Sequence, residues 1–136
     1  MNAALVFSIC NMLVLPQWLL MILAPKWKWT QKLVSYRIIP FLLAILYAIY
    51  IFSAFPAEEG GFGSLSEVMK LFTVEEAVLA GWIHYLVFDL LVGSWILQSA
   101  QRKGIHHGLI IPCLIFSFML GPVGFLLYWL ISKFQE

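Results

Sequence analysis

The sequence predicts an all-α integral membrane protein: a polytopic four-transmembrane-helix bundle, both termini outside, with a short amphipathic helix between the second and third spans. Three observations carry that prediction. Of 136 residues, 62% are hydrophobic and 11% charged, with a mean hydropathy of +0.93, which excludes an ordinary soluble domain. Four apolar runs, about 3–24, 38–55, 78–97 and 109–131, each hold roughly 18 residues or more, enough for a helix rising ~1.5 Å per residue to cross ~30 Å of hydrocarbon. The charges between the runs are sorted by sign. Lys26, Lys28, Lys32 and Arg37 occupy the first connection, and Arg102 and Lys103 with His106 and His107 the third; the second holds Glu58, Glu59, Glu67, Glu75 and Glu76 against Lys70. Lys and Arg collect on the cytoplasmic side, so the acidic loop is expected outside and the basic loops inside a cell inner membrane. The length allows one domain, 1–136.

The first run is expected to be a mature span rather than a signal peptide, because no Lys or Arg precedes it and it exceeds a usual h-region. Pro25 ends it, and Lys26-Trp27-Lys28-Trp29 then alternates cations with rings suited to lipid headgroups. The outer loop opens at Phe55-Pro56. Ser64 with Glu67 reads as a capping box, followed by Leu65, Val68, Met69 and Phe72 at i, i+3, i+4 and i+7, the pattern of a surface-lying amphipathic helix. Thr73 and Glu76 repeat the box spacing ahead of the third span. In the fourth run, Gly121-Pro122-Val123-Gly124 predicts a kink or an unwound segment, since proline removes a helical hydrogen bond and clashes with the preceding turn. A faint echo relates Ile38-Ile39-Pro40 to Ile110-Ile111-Pro112 at an offset of 72, which also aligns Gln17 with Asp89.

Asp89 is the residue that demands an explanation. A carboxylate in mid-membrane costs at least ~2.5–3.5 kcal/mol on insertion scales, so it needs a partner, a proton or a function. Its setting favours the neutral acid, able to donate a hydrogen bond. Asn11, Gln17, Tyr47, Ser117 and Gly121 fall at a similar depth on the other spans, which suggests an enclosed polar layer. On the third span Trp82, Tyr85 and Asp89 share one face; His84, Phe88 and Trp95 share another. Five residues separate His84 from Asp89, a rotation that does not build a helical metal pair, and no metal or other cofactor is expected. No Lys lies within a span, against a retinal Schiff base, and a bis-histidine haem would require a homodimer. Cys10 and Cys113 read as small buried hydrophobes. The near balance of eight basic and seven acidic residues gives no argument for nucleic acid.

With these residues in view, the chain resembles the abscisic-acid-deficient-four-like family, plant neoxanthin-synthesis membrane proteins and, more closely, their bacterial homologues. The resemblance rests on Ala24-Pro25-Lys26-Trp27-Lys28-Trp29-Thr30, on Trp82-Ile83-His84-Tyr85-Leu86-Val87-Phe88-Asp89-Leu90, and on Pro112-Cys113-Leu114 with Gly121-Pro122-Val123-Gly124. It implies a membrane-embedded site for a carotenoid or related polyprenoid, whose epoxide opens to an allenic alcohol without redox change. Asp89 and His84 are then the catalytic pair, with Trp82, Tyr85, Trp95, Asn11, Gln17, Tyr47, Ser117, Gly121 and Pro122 lining the ligand. An Ala-Arg pair associated with the plant proteins after the Asp-Leu segment is absent here, where Val92-Gly93-Ser94-Trp95 follows. A non-catalytic scaffold or assembly factor, docking partners through its outer amphipathic helix, is the competing reading; a proton-coupled transporter is a third.

Overall fold

The longest helix runs through the middle of the molecule. In the computed structural model, which describes residues 2–55 and 60–135, the helices are α1 Ala3–Leu23, α2 Lys28–Tyr36, α3 Ile38–Ala54, α4 Leu65–Leu71, α5 Glu75–Lys103, α6 His107–Met119 and α7 Gly121–Phe134, with no strand among the described residues. Helix α5 buries 14 of its 29 residues, from Ala77 to Ala100. Glu75 and Glu76 in its first turn and Arg102 and Lys103 in its last complement its dipole, and Gly104 ends it with φ 68°.

Helix α1 lies parallel to α5. Trp82 meets Asn11, Ser94 meets Gln17 and Gln101 meets Pro25, in step along both chains. Helix α3 runs antiparallel on another side, placing Tyr47 beside His84 and Ala54 against Ala77. The stretches Ala3–Leu23, Lys28–Ala54 and Glu75–Lys103 are each long and apolar enough to cross a membrane. Their outward faces, with Met12, Leu19 and Leu23 on α1 and Phe41, Ile49 and Phe52 on α3, are exposed as lipid-facing surfaces are.

The fourth run departs from the expected single span over 109–131. It breaks at Leu120 into α6 and α7, which fold back on each other as a hairpin. Helix α6 climbs from His107, bonded to the Ile22 carbonyl at 2.8 Å, to Phe118, packed edge-on against Trp18. Helix α7 then descends along α5: Gly121 lies on Asp89, Phe125 on Trp95, and Tyr128 donates to Ser99 at 2.7 Å. Gly124 makes the reversal possible, since a Cβ there would strike the Ser117 amide and the Cys113 carbonyl of α6. At 13 and 14 residues, each arm reaches only ~20 Å, short of a span. The chain therefore begins at one end of the molecule and finishes at the other, which corrects the expectation that both termini share a side. The reversal also carries Lys133 to the end where α1 and α5 terminate, so seven of the eight Lys and Arg gather there.

The first basic connection, expected as a loop, contains α2. Thr30 and Val34 turn inward, and the Thr30 hydroxyl donates to the Ala24 carbonyl at 2.7 Å, closing the end of α1. Lys28 and Lys32 rest over the Trp29 ring at 5.6 and 4.7 Å. The outer helix α4 forms where its capping box predicts. Ser64 Oγ accepts from the Glu67 amide at 3.2 Å, while the Glu67 carboxylate accepts from Gly63 rather than Ser64. Leu65 and Met69 stay exposed, and Phe72 seats on Gly81. Thr73 caps nothing: it donates to the Lys70 carbonyl, and the residue before α5 is Val74, whose side chain makes no cap. Pro56, Glu58 and Glu59 of the expected acidic loop lie outside the described residues.

Candidate functional site

The break in the fourth run and the acid of α5 meet. Pro122 has no N–H to offer the carbonyl one turn earlier, and the reversal directs the Val123 and Gly124 amides to Leu120. The last carbonyls of α6 thus lose their helical donors in an apolar region. Tyr85 supplies one, its hydroxyl donating to the Met119 carbonyl at 2.6 Å. That hydroxyl also lies close to the Asp89 carboxyl and the Gly121 amide. Asp89, only 7% exposed, sits against Gly121 so closely that a Cβ there would overlap Oδ1. Tyr85 therefore ties the helix break to the buried acid. Tyr85→Phe is expected to leave the Met119 carbonyl without its donor, lowering stability by about 1–3 kcal/mol, read as a fall in thermal midpoint of the detergent-solubilised protein.

Three buried polar atoms lack a partner among the described residues: Asp89 Oδ2, Gln17 Oε1 and Ser117 Oγ. Unsatisfied buried groups of this kind are rare and call for a cause. Gln17 is held from its other side, its Nε2 donating to Ser94 at 3.0 Å, and the Trp18 ring beside it fills the gap over Gly93.

Above the hairpin tip, α1 and α5 face each other across unfilled space. A cavity of about 420 Å³ is lined by Asn11, Val14, Leu15, Trp82, Tyr85, Leu86, Phe118 and Met119. A second, of about 450 Å³, continues along Ala3, Phe7, Val78 and Gly81 and shares Trp82 and Tyr85 with the first. The shared wall is ordered: Trp82 donates to Asn11 at 2.9 Å and stacks on Tyr85 at 5.6 Å. Because the hairpin occupies only one half of the helical stack, the other half keeps an apolar cleft whose closed end is Tyr85.

The structure brings Asp89, Tyr85, Trp82, Asn11 and Gly121 together, with Gln17 a turn or two further along. Ser117 lies inside the hairpin, against Gly124. Other expected residues lie elsewhere. His84 points to α3, between Tyr47 at 5.5 Å and Phe88 at 4.8 Å, so neither it nor Tyr47 joins Asp89. Trp95 packs on Phe125 and Tyr128, and Pro122 faces outward. Sequence reasoning missed the Met119 carbonyl and Phe118. The signal for a freed carbonyl was present in Pro122, but which donor reaches the break depends on the reversal.

Apolar helices of spanning length packed around a buried acid define an all-helical membrane protein. The chain belongs to the ABA4-like (ABA DEFICIENT 4-like) family, whose model matches residues 5–128, a stretch holding every residue of this cluster. It is 30% identical over 132 residues to Protein ABA DEFICIENT 4, chloroplastic, of Arabidopsis thaliana, an alignment covering 90% of this chain and 58% of that one. The chain thus spans less than two thirds of that relative's length. No solved structure matches it.

Proposed function

We propose that this protein binds a carotenoid or related polyprenoid in the cleft between α1 and α5 and isomerises it there, with Asp89 and Tyr85 as the proton-handling pair. The observation that carries this reading is that Tyr85, which lines the cleft, also adjoins the Asp89 carboxyl. An apolar trough with a few polar groups at one depth is what a long terpenoid requires. For an epoxide substrate, the Asp89 proton passes through Tyr85 to the epoxide oxygen as one C–O bond breaks, leaving a hydroxyl. A polyene C–H then returns its proton along the same path, and its electron pair forms the second double bond of the allene. No electrons are gained or lost, and the pair ends as it began. His84, on the opposite face of α5, takes no part.

In this reading the protein is a single domain of the cell inner membrane, with three spans and one hairpin. The basic end faces the cytoplasm, and the N-terminus and acidic loop lie outside. Lys133 at the basic end suits that orientation better than a fourth span would, because a span would place it outside.

Purification in mild detergent from a carotenoid-producing host is expected to yield protein carrying pigment with a shifted visible spectrum, identified by mass spectrometry of extracted lipid. Asp89→Ala should abolish conversion and alter the host's pigment profile. Colourless protein, with a pigment profile indifferent to Asp89, would overturn the proposal. The exposed Leu65 and Met69 of α4 favour the scaffold reading instead if Leu65→Ser and Phe72→Ser impair function more than Asp89→Ala does.

A further inference from the structure

The basic end of the molecule carries a second site, separate from the cleft. We propose that the pocket between the end of α1, the last turn of α5 and the start of α6 binds the phosphate group of an anionic membrane lipid.

The pocket, about 390 Å³, has a rim of Lys26, Gln101, His106 and His107 and a floor of Leu97, Ala100, Ile105 and Ile110. Local hydrogen bonds fix which groups remain to face a ligand. The Gly108 amide donates to His106 Nδ1 at 3.1 Å; that nitrogen is therefore an acceptor, and the ring's N–H sits on Nε2, free to donate. His107 Nε2 is already committed to the Ile22 carbonyl. Gln101 is engaged within the wall, its Nε2 donating to the Pro25 carbonyl and its Oε1 accepting from Gln31. Lys26 and His106, both exposed, are left as the donors, beside the first amides of α6, where the helix dipole is positive.

Among the described residues the charges beside the pocket have one sign. Arg102 and Lys103 close α5 next to the pocket, and every described Asp and Glu lies at the other end or at mid-depth. A phosphate is the anion that such a headgroup-level site meets, and basic residues near an anionic surface strengthen the attachment. The apolar floor distinguishes a lipid from a free anion, since it can bury the first methylenes below the phosphate, which inorganic phosphate does not have.

The test uses the full chain in mild detergent, titrated separately with short-chain phosphatidylglycerol, phosphatidylcholine of equal chain length and inorganic phosphate, with binding read by native mass spectrometry. Phosphatidylglycerol is expected to bind at least about tenfold more tightly than phosphatidylcholine, and more weakly as salt is raised. Lys26→Ala and His106→Asp, the latter keeping an acceptor for the α6 cap, should each weaken it about fivefold or more, with unchanged helical circular dichroism as the folding control. Inorganic phosphate binding as tightly as the lipid would uphold the phosphate chemistry and identify a soluble anion as its source. Equal binding of the two lipids, or affinity unmoved by both substitutions, would overturn the proposal. Neither result bears on Asp89 or the cleft.

Discussion

Gly124→Ala is expected to unseat the α6–α7 hairpin and cost about 3 kcal/mol or more, above the usual range for one added methyl. Overpacking typically costs 1–3 kcal/mol because side chains move aside. Here the atoms in the way are the Ser117 amide and the Cys113 carbonyl, backbone that can yield only if the two helices part. The other glycines supply a graded comparison. At Gly121 the obstacle is the Asp89 carboxyl, a side chain that can rotate, so Gly121→Ala should damage stability less and function more. At Gly104 nothing lies within 4 Å and the cost is the positive φ alone, about 1 kcal/mol. Thermal midpoints in one detergent, followed by tryptophan fluorescence, should rank Gly124→Ala as the largest loss. Equal midpoints for the variants at Gly124 and Gly104 would count against the close crossing.

The second large effect concerns topology. Single cysteines placed at Phe62, Lys103 and Gln135, in a chain with Cys10 and Cys113 replaced by alanine, are expected to fall into two groups toward an impermeant maleimide. Lys103→Cys and Gln135→Cys should react from one side of the membrane and Phe62→Cys from the other. The reason is the descent of α7 along α5, with Gly121 at Asp89, Phe125 at Trp95 and Tyr128 at Ser99. Labelling of Gln135→Cys together with Phe62→Cys would mean that 109–131 crosses as one helix.

Much of the fold was legible in the sequence because hydropathy and charge are summed over many residues. The first three apolar runs, the inward face of Asp89 and the α4 capping box all came from such patterns. The hairpin did not, since hydropathy scores 109–131 the same whether it crosses or turns back. Gly121-Pro122 announced a disturbance, but its size depends on Gly124 meeting Ser117, a contact between positions seven apart. Helix α2 was hidden because only two of its positions turn inward, Thr30 and Val34, and the first of them is polar. The shared helical face read from the spacing places Trp82 on Tyr85 and Tyr85 beside Asp89. The expectation that Tyr47 belonged to the same layer used depth alone, and depth does not say which side of α5 a neighbour occupies. Charge sorting grouped the two basic connections, which do lie at one end of the molecule, but could not place Lys133 with them, because its end depends on the reversal at Leu120.

The hairpin also bears on how the chain is made. Its two arms are each too short to cross hydrocarbon, and both rest on surfaces that belong to α1 and α5, which leave the ribosome earlier. The hairpin 107–134 can seat only once those surfaces exist, and until it does Asp89, which Gly121 covers, lies open on the flank of α5. A nascent chain stalled before Gly124 would present a membrane acid with no cover, the kind of feature by which membrane quality control distinguishes an unfinished protein from a finished one.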